Sequence, residues 1–250
     1  MFGPPARSDL PRRSQGHAAS IAIFGLCFSV TCTAAYAQST GDMSALQATR
    51  TERLLENRIA CRGCHVIGGS GGAIGPMLDG IAERADLTYV RSIISDPGAV
   101  PGSIMPHQSM SVDDLDRLAR FIHAQPAPAA DREGVPAGRA PPVIAVGHEN
   151  DGAALYARHC AACHGDTGEG DGWNTANLPV RPTRHADAVA MSLRPDDTLF
   201  DGIAGGGYVL DRNARMPAFG DLLTRAQIRL LVAHIRTLCS CRQPAWAGGA

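Results

Sequence analysis

The sequence predicts a mainly α-helical protein of two tandem domains, each built of short helices and long loops, and three observations carry that prediction. A Cys-x-x-Cys-His motif occurs twice, as Cys61-Arg62-Gly63-Cys64-His65 and as Cys160-Ala161-Ala162-Cys163-His164. Each copy is followed, in the same order, by a glycine-rich loop, a Met-Pro pair (Met105-Pro106, Met216-Pro217) and an amphipathic stretch. Alternating β-branched runs, the mark of strands, are nearly absent, while glycine and proline punctuate both copies.

Taken in chain order, residues 1–37 read as a secretory signal peptide. Arg7, Arg12 and Arg13 precede an uncharged apolar run from Ala18 to Tyr36, and Ala35-Tyr36-Ala37 supplies small residues for cleavage before Gln38. The competing reading is a membrane anchor through residues 18–37, since a span needs about 20 apolar residues. Cys27 and Cys32 lie in this segment. The first domain is assigned to residues 38–125 and the second to residues 149–240, with a short tail at 241–250. In the first, Ser111 and Asp114 make a capping-box pattern ahead of Leu115, Leu118, Ala119 and Ile122, an i, i+3, i+4, i+7 stripe. In the second, Thr224 and Gln227 precede the matching stripe of Ile228, Leu231, Val232 and Ile235. Between them, residues 126–148 hold Pro126, Pro128, Pro136, Pro141 and Pro142 among alanines and glycines, the composition of a semi-rigid linker.

A formal charge of −1 and 44% apolar content exclude a nucleic-acid binder, which carries a strongly basic face. All 23 basic residues are arginine, to which we attach no function. Loops as long as these are rare in a compact domain unless a large buried group fills their centre. The low aromatic content of 5% is consistent with a porphyrin serving as core.

The paired motif says which group that is. Two cysteines two residues apart each form a thioether with a haem vinyl group, and the adjacent histidine then lies under the iron. Independent placement of 8 Cys and 9 His in 250 residues gives roughly 0.01 expected occurrences, so two are not accidental. A zinc ribbon needs its cysteine pairs about 15–20 residues apart, whereas Cys64 and Cys160 are separated by most of a domain. A thioredoxin-like pair requires a βαβ setting that the sequence lacks, and a plain disulfide leaves both histidines unexplained. The cofactor expected is therefore two covalently bound haem c groups, held by Cys61 and Cys64 and by Cys160 and Cys163, with His65 and His164 as iron ligands.

With these residues the mature chain, from about residue 44 to 240, resembles the class I cytochromes c. That family places its motif after an N-terminal helix, supplies a methionine ligand from a later loop and closes with a C-terminal helix crossing the first. The second copy matches closely: Gly152 and Tyr156 stand where the family has its helix crossing, and Gly165, Gly168 and Gly170 match its glycine-rich loop. The first copy has Arg53 and Asn57 at the crossing positions, which leaves that contact to Leu54, Leu55 and Ile59. The resemblance implies that the proline segment Ile74-Gly75-Pro76 accepts a hydrogen bond from His65, and that Pro179, or Pro182, does so for His164. It also implies Met105 and Met216 as sixth iron ligands, with Met110 in reserve and His107 as a competitor in the first domain. Met77 is expected in the core; of the other histidines that could displace methionine (His107, His123, His148, His159, His185 and His234), most are expected at the surface. Arg84, Arg181 and Arg184 are candidates to bind haem propionates. Cys239 and Cys241, too close in sequence to pair comfortably, are expected free or bridged to another molecule.

His/Met ligation raises the reduction potential. The resemblance therefore implies a periplasmic electron carrier, or the electron-transfer subunit of a dehydrogenase or oxidase, more than an enzyme. Its partners are redox proteins, in association with a membrane or periplasmic oxidoreductase complex, and not nucleic acid. The alternative function is a two-haem enzyme such as a peroxidase or a thiosulfate-oxidising cytochrome.

Overall fold

A computed structural model of the chain describes residues 43–128 and 149–248, which fall within one compact unit. The export segment with its cleavage site, Cys27, Cys32 and Gln38 lies outside the described residues, as do most of the proline-rich linker and the last two residues of the tail.

In the N-terminal half, α1 (Ala45–Asn57) starts at a full capping box in which Ser44 and Gln47 satisfy each other's backbone N–H groups. One turn, α2 (Cys61–Cys64), carries the first motif and runs into a two-residue antiparallel ribbon of β1 (Val66–Ile67) and β2 (Ser70–Gly71). Then come α3 (Leu87–Ser95), capped by Asp86, and α4 (Val112–His123), capped by Ser111. Only half of the anticipated capping box forms at α4: Ser111 accepts from the Asp114 N–H, but its own hydroxyl donates to the Asp114 carboxylate. Aspartate is one methylene too short to reach back to the cap nitrogen.

The C-terminal half repeats the plan. α5 (Gly152–His159) leads into α6 (Ala161–His164), the turn of the second motif. α7 (Ala188–Ser192) and α8 (Asp196–Gly205) follow, and α9 (Arg225–Leu238) begins at the full capping box of Thr224 and Gln227. Among the described residues the architecture is thus mainly helical with one minimal ribbon, as the sequence predicts.

Two apolar clusters form the core. In the first, α1 and α3 pack on α4, whose buried residues are Leu115, Leu118, Ala119 and Ile122, the predicted stripe. Leu55 and Ile59 are buried beside it and Leu54 packs half-buried, so aliphatic residues do supply the contact at the end of α1. In the second, α5 and α8 pack on α9 through Ile228, Leu231, Val232 and Ile235, again the predicted set. Gly152 touches α9 so closely that a Cβ there would lie 2.4 Å from the Leu230 carbonyl oxygen, and Tyr156 is buried one turn on.

Two expectations fail. Met77 is only half-buried and belongs to neither cluster, because the loop that carries it is bound by its backbone, with the Met77 carbonyl accepting from Arg84 at 2.8 Å. Cys239 and Cys241 are bonded to each other, with Cα atoms 5.1 Å apart, because Ser240 takes a left-handed conformation (φ 47°) that reverses the chain between them. Among the described residues no helix is long and apolar enough to cross a membrane.

Since Gly152 leaves no room for a side chain, Gly152→Ala should destabilise the protein by about 1–3 kcal/mol in denaturant unfolding. Arg53→Ala, at the corresponding exposed position of α1, should stay within about 0.5 kcal/mol of the parent.

Candidate functional site

Each motif occupies a helical turn that ends on its histidine, and each histidine is then pinned by one hydrogen bond. His65 Nδ1 lies 2.7 Å from the Pro76 carbonyl oxygen, the partner anticipated from Ile74-Gly75-Pro76. The ring rests on Gly75, where a Cβ would approach its Cε1 to 2.2 Å. His164 Nδ1 lies 2.9 Å from the Thr183 carbonyl. Neither Pro179 nor Pro182 fills that role, since the loop before α7 places the peptide one residue past Pro182 under the ring. A carbonyl only accepts, so both Nδ1 atoms carry the proton and both Nε2 atoms keep a lone pair, the tautomer an iron ligand requires. Burial lowers the pKa of both imidazoles, against the opposing pull of the carbonyl bonds, and so favours the neutral ligand form.

The four motif thiols are unpaired. Burial pushes Cys61 up to about 11 and Cys64 and Cys160 up to about 12, and raises Cys163 as well. Reactive Cys-x-x-Cys pairs show the opposite shift, so burial here favours the protonated thiol over the thiolate that exchange needs. Among the described residues no cluster of three or more His, Cys, Asp or Glu side chains suits a bare metal ion.

A cavity of about 460 Å³ is lined by Cys160, Cys163, His164 and Met216, and from the N-terminal half by Gly63, Cys64, Ile104 and Pro106. That volume falls in the range of about 300–1,000 Å³ usual for cofactor sites. Two lining residues carry buried nitrogens without a hydrogen-bond partner, His159 Nδ1 and Arg215 Nη1. Arg194, also in the lining, is lowered in pKa by burial and then by the like charge of Arg212. Donors and cations left in this state match a porphyrin with two carboxylates, so the residues present fit haem. Of the three arginines considered for propionates, Arg181 lines the cavity, Arg184 pairs with Glu169 and Arg84 binds the Met77 carbonyl.

The predicted ligands are distributed unevenly. Met216 packs on the second cluster and lines the cavity with His164. Met105 is half-buried, its N–H bound to Ser103 Oγ at 3.1 Å, while its neighbours Ile104 and Pro106 face the cavity of the other half. Met110 packs with Cys61 against the first cluster. His107 points to Asp221, 3.5 Å away.

Several residues that sequence reasoning passed over matter here. His185, one of six histidines of which most are expected at the surface, is buried and stacks on His164 with ring centroids 4.1 Å apart and planes 9° from parallel. The Tyr156 hydroxyl holds it at Nδ1, 3.0 Å away. His159 is likewise in the cavity wall, edge-on to Phe219. Fully buried Asn174 joins the two motifs. Its amide nitrogen donates to the Gly63 carbonyl at 2.9 Å and to Cys163 Sγ at 3.3 Å, and its oxygen accepts the Ala73 N–H at 2.9 Å. No periodicity or motif marks Asn174 in the sequence. Arg62, inside the first motif, is buried and bonded to Glu52, Glu56 and the Ile67 carbonyl.

Residues 148–235 match the family model described as cytochrome C oxidase, cbb3-type, subunit III. This segment is a cytochrome c family domain. The family implies covalently held haem c, in agreement with the thiols, tautomers and cavity above. The chain is also 25% identical over 187 residues to the cbb3-type cytochrome c oxidase subunit FixP of Azorhizobium caulinodans, a match covering 71% of this chain and 56% of that protein. It therefore spans little more than half the length of that relative. Among solved structures it is similar to the KustC0563 c-type cytochrome, at 28% identity over 35% of this chain and 96% of that one, with a TM-score of 0.30. It is also similar to the Kuenenia stuttgartiensis reducing HAO-like protein complex Kustc0457/Kustc0458, at 18% identity over 61% of this chain and 72% of that one, TM-score 0.30.

Replacing Asn174 with Ala strips partners from the buried Gly63 carbonyl and Ala73 N–H at once. At about 1–3 kcal/mol per orphaned group, Asn174→Ala should lower unfolding free energy by at least about 2 kcal/mol in denaturant titration, whereas Asn177→Ala, on a weaker bond, should change it by less than about 1 kcal/mol.

Proposed function

We propose that this cytochrome c carries electrons through two covalently bound haems, one per motif, as a periplasmic shuttle or as the electron-transfer subunit of an oxidase or dehydrogenase. The observation that carries this reading is that both motif histidines have the same state, Nδ1–H given to a backbone carbonyl and Nε2 left as ligand. Cys61 and Cys64 hold the first haem and Cys160 and Cys163 the second, on domains spanning residues 38–125 and 149–240. His65 and His164 are the proximal ligands, and Met105 and Met216 the sixth ligands. Haem bound in this way supplies a one-electron couple whose potential the thioether sulfur raises. The protein's own work is to hold the imidazole planes, to keep the cavity at His164 lined with apolar residues, and to offer His159 and the arginines of the cavity wall to the propionates.

A second reading of the first site has a specific basis. Met110 shares the apolar cluster of Cys61, whereas the residues flanking Met105 face the other half. Met110 then replaces Met105 as ligand.

The subunit role rests on the likeness to a cbb3-type oxidase subunit; the partners are redox proteins of such a complex. Export by residues 1–37 places the haems outside the cytoplasm, with a tether through residues 18–37 as the variant of that arrangement.

Mass spectrometry of the denatured mature chain should find two haem additions; a single addition, or haem released by acid acetone, would contradict the two-haem reading. Met216→Ala should remove half of the long-wavelength band of Met-bound ferric iron and lower one potential. Of Met105→Ala and Met110→Ala, the one that removes the other half identifies the first ligand. The fully reduced protein should bind carbon monoxide slowly and show no turnover of peroxide or thiosulfate. Rapid binding with turnover abolished by changing one motif would make it an enzyme.

A further inference from the structure

The segment that carries Met216 has no regular secondary structure, so its position depends on what holds it. Part of the hold is local: the Met216 carbonyl accepts from the Gly207 N–H at 3.0 Å, and the Arg215 N–H donates to Asn213 Oδ1 at 2.8 Å. The rest comes from the other half of the chain. Arg215 Nη2 donates to both carboxylate oxygens of Glu56, at 2.9 and 2.7 Å, although the two residues are 159 apart in sequence. Glu56 also accepts from Arg62 Nη1 at 2.5 Å, and Arg62 is the buried residue inside the first Cys-x-x-Cys-His turn. The backbone closes the same joint, since a Cβ on Gly63 would lie 2.0 Å from the Arg215 carbonyl oxygen. The arrangement is reciprocal. Around Met105, the Gly102 carbonyl accepts from Arg158 of the C-terminal half at 3.2 Å, and His107 faces Asp221.

We propose that the Glu56–Arg215 ion pair is a latch by which the N-terminal half holds the sixth-ligand loop of the C-terminal haem, making Glu56 a positioning residue for an iron it does not touch. The proposal rests on Met216 being that ligand. Arg215 is the residue immediately before it, so a shift of the guanidinium moves the peptide that sets the reach of the methionine sulfur. Arg62 fixes Glu56 from behind, because its other bonds, to Glu52 and to the Ile67 carbonyl, hold it in the first motif. Any change in the first motif turn therefore reaches the second iron's ligand through two charge-assisted contacts.

The test uses the full holoprotein and imidazole, which competes with methionine for ferric iron. Glu56→Gln keeps the side-chain shape and removes the charge. It should raise imidazole affinity at the C-terminal haem by about tenfold, a usual coupling between linked sites, and weaken that haem's share of the long-wavelength band. Arg215→Gln should do the same, and the double variant should match either single one. Asp116→Asn, which breaks the Arg91 ion pair of the first half and touches neither Arg62, Glu56 nor Arg215, should leave the C-terminal haem as it is, which separates the latch from general loosening of the first half. Met216→Ala sets the reference. If it leaves the band whole, the ligand assignment fails whatever Glu56 does. If Met216→Ala removes half the band while Glu56→Gln binds imidazole as the parent does, or if the two single variants add, the latch is overturned and the ligand stands.

Discussion

The arrangement depends on one hydrogen bond made twice, from the Nδ1–H of a motif histidine to a backbone carbonyl. It fixes the ring plane and leaves Nε2 free to ligate, and everything nearby is arranged to preserve it. At the first site the ribbon of Val66–Ile67 and Ser70–Gly71 turns the chain back so that Pro76 reaches His65. At the second, the loop ahead of α7 brings Thr183 to His164, and His185, held by Tyr156, covers the imidazole face. Tyr156 is buried where α5 crosses α9, so the helix crossing and the ligand geometry are parts of the same packed cluster.

The second constraint is that the two motif turns meet. Asn174 satisfies groups from both, a buried amide whose three partners are all supplied by protein. Arg62 does the equivalent with charge. A guanidinium so deeply buried is costly unless paired, and Glu52 and Glu56 pair it. Burial alone would raise the Glu56 carboxyl, but the bond and charge of Arg62 and the charge of Arg215 outweigh it and hold that carboxyl below its usual range. The joint between the halves is thus polar and directional, unlike the two apolar clusters it connects.

Much of this was legible in the residues. The helical stripes ending each copy were readable because they obey a 3.6-residue period, and the buried sets in α4 and α9 are the ones that period selects. The motif cysteines and histidines were readable because their spacing is chemical, and Gly152 because a helix crossing has no room for a Cβ. What escaped reading is what depends on distant parts of the chain meeting. Asn174, Thr183 and the Glu56–Arg215 pair have no local pattern, and His185 looks like any loop histidine until the fold lays it on His164. The Cys239–Cys241 bond was missed because it turns on the left-handed backbone of Ser240, a conformation unusual for serine. Which of Met105 and Met110 would ligate the proposed first haem is the hardest point to read, since both lie in one irregular loop whose register only tertiary contacts decide.

Asn174 joins the two motif turns, so the two proposed haems would sit side by side around it. Visible circular dichroism of the oxidised holoprotein in the Soret region tests that placement most directly, because two porphyrins held close and at a fixed angle couple their transitions. Two haems so placed should give a paired positive and negative signal that collapses to a single band when Cys160 and Cys163 are replaced by Ala and the second haem is lost. A parent spectrum equal to the sum of two independent single bands would contradict that placement.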